Sequence, residues 1–174
     1  MAGMAKLKAR LDSARTGELP DIETERAIVA RIFKTARDVD DQNYAAWMDA
    51  FTSDGVYAAI TYENFVETGL YLFKDSGRRA LQERVAFLNG LWQTPRAKTL
   101  HLIGNFEFSA HGASEVFVMS NFIMSRTGDS THCQLHAAGR YYDTFVLEEG
   151  AWLLKERVVV VDSNLLPGAF TDLL

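Results

Sequence analysis

Cysteine is almost missing from this chain: Cys133 is the single one in 174 residues. One thiol cannot close an internal disulfide, and such scarcity suits a reducing compartment, so the expected location is cytoplasmic. One Cys and four His, with no Cys-x-His and Cys-x-x-His pair, fall short of what iron–sulfur clusters and Cys/His zinc centres require. No run approaches the ~18 apolar residues of a membrane span. The opening MAGMAKLKARLDSARTG carries charge but no apolar segment of a secretory signal. Positive charge is in deficit, 18 Lys and Arg against 23 Asp and Glu. Aromatic residues are not interleaved with bases, so nucleic acid is not an expected partner. Neither a Gly-rich phosphate loop nor a Gly-x-Ser-x-Gly elbow occurs, which removes support for nucleotide binding and for serine nucleophiles.

What is present is ordinary globular material, 48% hydrophobic and 24% charged. A chain this long buries roughly 70% of its unfolded surface in one domain. The organising stretch is Lys98 to Asp162, where runs rich in Val, Ile, Phe, Tyr and Leu are broken by Ala-His-Gly-Ala, Thr-Gly-Asp-Ser and Glu-Glu-Gly. Those breaks are turn chemistry. Strands joined by short turns run antiparallel, so the stretch is a meander of four strands. On the first, Leu102, Phe106 and Phe108 are expected on one face, with His101, Asn105 and Glu107 on the other. On the last, Trp152 and Leu154 alternate with Lys155 and Arg157, and then Val158 to Val161 is apolar on both faces. Such a strand is covered on both sides. Helices are expected on one side, and another subunit over part of the other.

Residues 1–19 read as an arm, a mobile segment or a frayed helix docking on a partner, and residues 20–174 as a single domain. Pro20-Asp21 opens a helix to about Asp40, with Ile22, Val29, Ile32, Phe33, Ala36 and Val39 at helical spacing and acidic residues in its first turns. Tyr44 to Phe51 reads as a short helix. Ser53-Asp54-Gly55 turns into a strand, Val56 to Thr61. Tyr62 to Asp75 looks irregular but too apolar for solvent, suiting an interface or a pocket wall. A further helix, Arg78 to Leu91, buries Leu81, Val85, Leu88 and Leu91. The tail ending in Leu173-Leu174 is expected to dock on its own chain or on a partner. The sum is an α+β fold, a curved antiparallel sheet wrapped around a long N-terminal helix. That is a cone, and its mouth is a natural ligand pocket.

Two constellations carry possible chemistry. His132 and His136, four apart in a predicted strand, share a face and could join a carboxylate on a metal; polar residues on a solvated or intersubunit face explain them as well. Asp40, Tyr57 and His101 could converge inside the cone, and a carboxylate with an imidazole is what proton abstraction beside a carbonyl needs. Each also has a plain structural role: Asp40 at a helix end, Tyr57 in the core, His101 on a backbone group. Spacing alone favours those roles. Cys133 has no activating neighbour in sequence and reads as a small strand residue.

Several phrases then fall in a telling order: Tyr44-x-x-Trp47-x-x-x-Phe51-x-x-Asp54-Gly55-x-Tyr57, Leu81-x-x-Arg84-Val85, Thr99-x-His101-Leu102-Ile103-x-Asn105, Ser120-Asn121-Phe122, Gly139-Arg140-Tyr141-Tyr142-Asp143, Trp152-x-Leu154-x-x-Arg157 and Val161-Asp162. Their order and spacing resemble the small (β) subunit of bacterial aromatic-ring-hydroxylating dioxygenases, of the nuclear-transport-factor-2-like or cystatin-like superfamily. The resemblance implies a chain with no catalytic, cofactor-binding or metal residues of its own. The Rieske [2Fe–2S] cluster and the mononuclear iron would belong to an α-subunit partner. It also implies a β homotrimer, commonly within an α3β3 complex. Tyr62 to Phe73 and Leu165 to Leu174 are the candidate interface segments.

Lys98-Thr99-Leu100-His101-Leu102-Ile103-Gly104 also resembles the scytalone-dehydratase pattern. That likeness implies a stand-alone dehydratase or isomerase in which Asp40, Tyr57 and His101 surround the substrate. A second pocket histidine should then precede Arg140-Tyr141, and Ala138-Gly139 stand there instead. Strand alternation sends His136 to the opposite face. A bare dimerising or ligand-binding module of the same fold has no feature of its own.

Overall fold

The structure, a computed structural model, describes residues 4–90, 97–128, 132–164 and 173–174. In chain order the elements are α1 (Met4–Ala14), α2 (Ile22–Asp40), α3 (Tyr44–Met48), β1 (Phe51–Thr61), α4 (Tyr62–Glu67), β2 (Phe73–Ser76), α5 (Gly77–Gly90), β3 (Lys98–Ala110), β4 (Glu115–Thr127), β5 (Cys133–Glu148) and β6 (Ala151–Val161). The long helix starts where Asp21 caps it, its Oδ1 accepting from the Thr24 amide at 2.8 Å. Glu23 and Glu25 follow in the first turn, where carboxylates suit the helix dipole. Its buried stripe is Ile28, Ile32, Thr35, Ala36, Asp38 and Val39. Ile22 and Phe33 lie outside it and are exposed.

Six strands form one sheet in the order β2-β1-β6-β5-β4-β3. The expected meander is there, β3 to β6 pairing antiparallel in sequence. The sheet is not antiparallel throughout, because β1 pairs parallel with β6. The long stretch between them supplies the crossover a parallel pair needs. Three shorter readings also change. Phe51 opens β1 and does not close a helix. The Ser53-Asp54-Gly55 turn is a register shift inside that strand. Tyr62 to Asp75 is ordered as α4 and the edge strand β2. Leu91 lies outside the described residues.

Bulges decide which side chains enter the cone. In β3 the register shifts between Gly104 and Glu107, where Asn105 takes φ of 54°. An extra residue reverses the alternation beyond it. His101 and Ile103 therefore face inward before the bulge, and Phe106 and Phe108 after it. Leu102 is left outside, 62% exposed. In β6 the shift falls at Lys155, between the pairs Phe145–Leu154 and Thr144–Glu156. Trp152 and Leu154 face inward, and so does Arg157, which simple alternation would have put on the opposite face.

Inside, Ile28, Ile32 and Val39 of α2, Trp47 of α3, and Leu81 and Leu88 of α5 pack on Phe122, Met124, Tyr141, Phe145, Val159 and Val161. Outside, Ile60, Phe117, Tyr142, Val158 and Val160 are covered by Leu7 and Leu11 of α1 and Phe65 of α4. The second cover that the apolar strand demands thus comes from the chain itself. Polar ties hold α1 there. Arg10 pairs with Glu156 at 2.5 Å, Arg15 makes a fork on Glu107 at 2.7 and 2.8 Å, and Glu18 O accepts from the Ala110 amide.

The deepest charges are Asp143 and Arg157, cross-strand partners on β5 and β6. The guanidinium donates through Nε and Nη2 to the two carboxylate oxygens at 2.8 and 2.7 Å, both residues being almost fully buried. Its carbon sits 4.4 Å from the Tyr141 ring centre. Removing one member strands the other charge, whereas removing both replaces costly desolvation by apolar contact. Arg157→Met alone should therefore cost about 3–5 kcal/mol, and Asp143→Leu/Arg157→Met together should recover most of it. Urea unfolding of the single and double variants reads this directly. A double variant as unstable as the single one would show that the pair contributes more than mutual neutralisation.

Candidate functional site

The concave face gathers most of the chain's buried polar chemistry. Asp40 ends α2 and leans onto β3. Its Oδ1 meets His101 Nδ1 at 2.7 Å and accepts from the Thr99 hydroxyl at 2.9 Å, and its Oδ2 accepts from the His101 amide at 2.9 Å. The β3 bulge makes this possible by turning His101 inward opposite Met124. The His101 side chain is 1% exposed. With Nδ1–H assigned toward the carboxylate, Nε2 is an acceptor. Nε2 is buried and has no hydrogen-bond partner among the described residues. Burial pushes the Asp40 carboxyl upward. The hydrogen bonds from the His101 ring and amide, with that of the Thr99 hydroxyl, outweigh that push and hold it below the usual range. A carboxylate orienting an imidazole whose far nitrogen is free is the arrangement proton abstraction uses.

Tyr57 shares this interior and has a different partner. Its hydroxyl accepts from the Leu174 amide at 2.9 Å and donates to the Leu174 main-chain oxygen at 3.1 Å. Burial pushes it up to about 12. Trp47, Phe51 and Phe73 ring it at 5.1, 6.2 and 5.2 Å between ring centres. Arg84 stacks on Phe73 at 3.8 Å and is tied to Asp75. Asp40 and His101 are therefore joined as the spacing allowed, and Tyr57 is engaged elsewhere in the same interior.

Sequence reasoning missed one feature and left another open between two outcomes. The Asp143–Arg157 pair depends on the β6 bulge, which no composition signal marks. Arg140, three residues from Asp143 and so on the opposite face of the strand, pairs with Asp162 at 3.5 Å. The second feature is Leu173–Leu174, buried among the inner-face side chains. Docking of the tail on its own chain was one of two expectations. As a surface for a partner those two residues are excluded by their burial, and 165–172 lies outside the described residues.

Among the described residues, His132 and His136 are not brought into a metal site of the kind their spacing suggested. His132 precedes β5, and His136 is the extra residue at a register shift opposite Met124 and Ser125. The alternation that would align them is broken there. No group of three or more His, Cys, Asp or Glu among the described residues is placed to hold a metal. Cys133, the one thiol, is exposed, its pKa lowered by Ser125 and Thr127 hydrogen bonds. A [2Fe–2S] centre or a mononuclear iron does not fit this donor set. Gly139 bears on the second-histidine question. It faces inward between Phe122 and Val161, and a Cβ there would lie 2.0 Å from the Val160 carbonyl oxygen. Position 139 admits no side chain at all.

A family model described as the ring hydroxylating beta subunit matches residues 34–168. The chain is 26% identical over 132 residues, 74% of its length and 84% of the relative's, to the terephthalate 1,2-dioxygenase terminal oxygenase component subunit beta 1 of a Comamonas species. A solved chain from Novosphingobium aromaticivorans, described as the beta subunit of a candidate aromatic-ring-hydroxylating dioxygenase, superposes with a TM-score of 0.76 at 24% identity. That match covers 86% of this chain and 95% of the other. A Nostoc punctiforme protein described as having a cystatin-like fold gives 0.63 at 15% identity, covering 85% and 98%. At such identities the structures establish the fold, and the family match goes further.

Because the Asp40 carboxyl is held below its unfolded value of about 3.9, its stabilisation is complete above that pH and is lost as pH falls through the lower folded value. The stability gap between the native chain and Asp40→Asn should thus be constant above about pH 5 and shrink below about pH 4. Urea midpoints at stepped pH measure it. A gap unchanged from neutral pH into strong acid would show that the His101 and Thr99 bonds do not depend on the charge.

Proposed function

The chain belongs to the ring-hydroxylating beta-subunit family, and from that premise we propose that it is the structural, non-catalytic subunit of an aromatic-ring-hydroxylating dioxygenase. In this reading β chains form a trimeric base, α subunits sit on it as α3β3, and the Rieske cluster and mononuclear iron belong to the α subunit. The family match carries the proposal. The donor set supports it, since one exposed Cys and dispersed His residues suit a chain that leaves metal chemistry to a neighbour. So does the outer surface. Beyond the cover of α1 and α4, Leu102 lies opposite Ile123, and Leu100, Ser125 and Leu135 form the next row. The four apolar members of this block are exposed. Contiguous exposed apolar patches mark interaction sites. Tyr62, Val66, Leu70 and Leu72 add a second exposed set. Among the described residues no helix is long and apolar enough to cross a membrane, and we place the complex in the cytoplasm. We take residues 20–174 as the domain and residues 1–19 as an arm, whose helix α1 lies over the outer face.

The competing reading, a stand-alone dehydratase or isomerase working through Asp40, Tyr57 and His101, draws support from the Asp40–His101 bonds. The crowding at Gly139 and the commitment of Tyr57 to Leu174 weigh against it.

Native mass measurement tests the assembly. Purified alone, the chain should be a colourless, iron-free trimer that consumes no oxygen with aromatic substrates, and it should reach six chains with an α subunit. Leu102→Asp/Ile123→Asp should lower the mass or prevent α binding while leaving the circular dichroism spectrum intact. A monomer that binds iron and takes up oxygen by itself would end this proposal.

A further inference from the structure

The outer surface carries two exposed apolar patches, and they differ in charge. The first spans β3, β4 and β5. Its outward positions run in cross-strand rows from that of Lys98 at one end to that of Arg140 at the other. Between those ends Leu100, Leu102, Ile123 and Leu135 are exposed, and no acidic residue takes an outward position in these rows. Both ends are thus basic, Arg140 being offset in part by Asp162 at 3.5 Å. The second patch lies over the other flank, where Phe65 of α4 is buried with Ile60 of β1 and Val158 of β6. Tyr62 and Val66 stand one turn apart on α4, and Leu70 and Leu72 follow, all of them exposed. The segment 62–72 holds the carboxylates of Glu63 and Glu67 and no base. Lys74, just beyond it, is drawn over the Tyr71 ring. Elsewhere on the surface Lys8, Lys34 and Lys155 each hold a carboxylate. Among the described residues Lys98, Glu63 and Glu67 stand in no ion pair.

We infer that these patches are the two halves of one contact, the α4 flank of one copy of this chain seating on the β3–β5 flank of the next. The inference rests on the subunit reading above and names the surfaces that join its β chains. The occupant follows from charge and symmetry. A two-fold contact places the same patch on both sides. The β3–β5 patch would then oppose positive charge with positive, and the α4 patch carboxylate with carboxylate. Like charges pressed into a contact that excludes water repel strongly. Seating one patch on the other sets Glu63 and Glu67 toward Lys98 and covers the apolar members of both. Such a contact is head to tail. It leaves a bare α4 flank at one end of the chain of copies and a bare β3–β5 flank at the other until a ring closes. In the proposed assembly three copies close it.

Native mass and sedimentation of the full chain test the pairing. Leu102→Asp/Ile123→Asp breaks one patch and Val66→Asp/Leu70→Asp the other. Each variant alone should fall to monomers where the full chain is assembled, its dissociation constant raised at least about tenfold. An equal mixture of the two should form a species of two chains, since one intact patch of each kind remains. Charge reversal reads the same contact at exposed positions that leave the core untouched. Lys98→Glu, or Glu63→Lys/Glu67→Lys, should weaken association about tenfold, more so at low salt. All three changes in one chain should restore it. A full chain that stays trimeric when either patch is broken would overturn the inference and leave the subunit reading standing. So would a β3–β5 variant that falls apart while the α4 variant does not, or reversals that fail to rescue each other, because the patches would then meet something else. A full chain that is monomeric alone yet joins an α subunit would overturn it as well. An α subunit that ignores a trimer built on these patches would count against the proposed function and leave the contact supported.

Discussion

A strand that is apolar on both faces has to be walled on both, and in this chain that requirement arranges the rest. Val158 to Val161 are fully buried, with β1 on one edge and β5 on the other. The inner face of β6 demands the helices α2, α3 and α5. The outer face demands α1 and α4. Each fully buried Val is worth roughly 1.5–3 kcal/mol over an exposed one, so leaving either face bare would cost a large part of a typical domain's net stability. The parallel β1–β6 pair follows from the same need. A central strand wants two neighbours, and β1, itself buried from Tyr57 to Ile60, is the remaining strand with two apolar faces.

The helices and the meander were legible because they rest on period and on turn residues, which are local. Val158 to Val161 announced two covers, and two exist. What the run could not announce was who supplies the second. Leu7 and Leu11 sit in a polar stretch whose helical pattern is weak, and their partners Tyr142 and Val160 are more than a hundred residues away. The faces of β3 and β6 were misread for one reason. Alternation assumes an unbroken strand, and the register shifts at Asn105 and Lys155 each insert a residue. Asn is among the residues that tolerate positive φ, so Asn105 held a weak signal. Lys155 held none.

These slips of register matter to the site more than to the fold. Without the bulge in β3, His101 would share a face with exposed residues, and Asp40 would have no imidazole to hold. Without the one in β6, Arg157 would look outward and leave Asp143 charged and alone in the core. The spacing that nominated Asp40 and His101 was therefore sufficient to name them and insufficient to say why they meet. Tyr57 was legible as an inward residue of β1. Its bond to Leu174 was not, since nothing in a sequence ties a strand residue to a chain segment 117 positions on.

Asp40, Thr99 and His101 can be taken as a fastener, three hydrogen bonds closing the last turn of α2 against β3. That account explains the carboxylate, the hydroxyl and Nδ1 completely. It does not explain Nε2. A fastener has no use for a desolvated acceptor on its far side, and an unsatisfied buried polar group costs on the order of 1–3 kcal/mol. Lys or Gln at position 101 could tie to Asp40 from β3 without presenting an imidazole nitrogen to the interior. A histidine there makes physical sense where something with a hydrogen to give can stand against it. Leu174 is tied into the same interior by a single side-chain hydroxyl, that of Tyr57. The concave face is thus a packed core crossed by two polar ties, and the imidazole of one of them leaves Nε2 without a hydrogen-bond partner among the described residues.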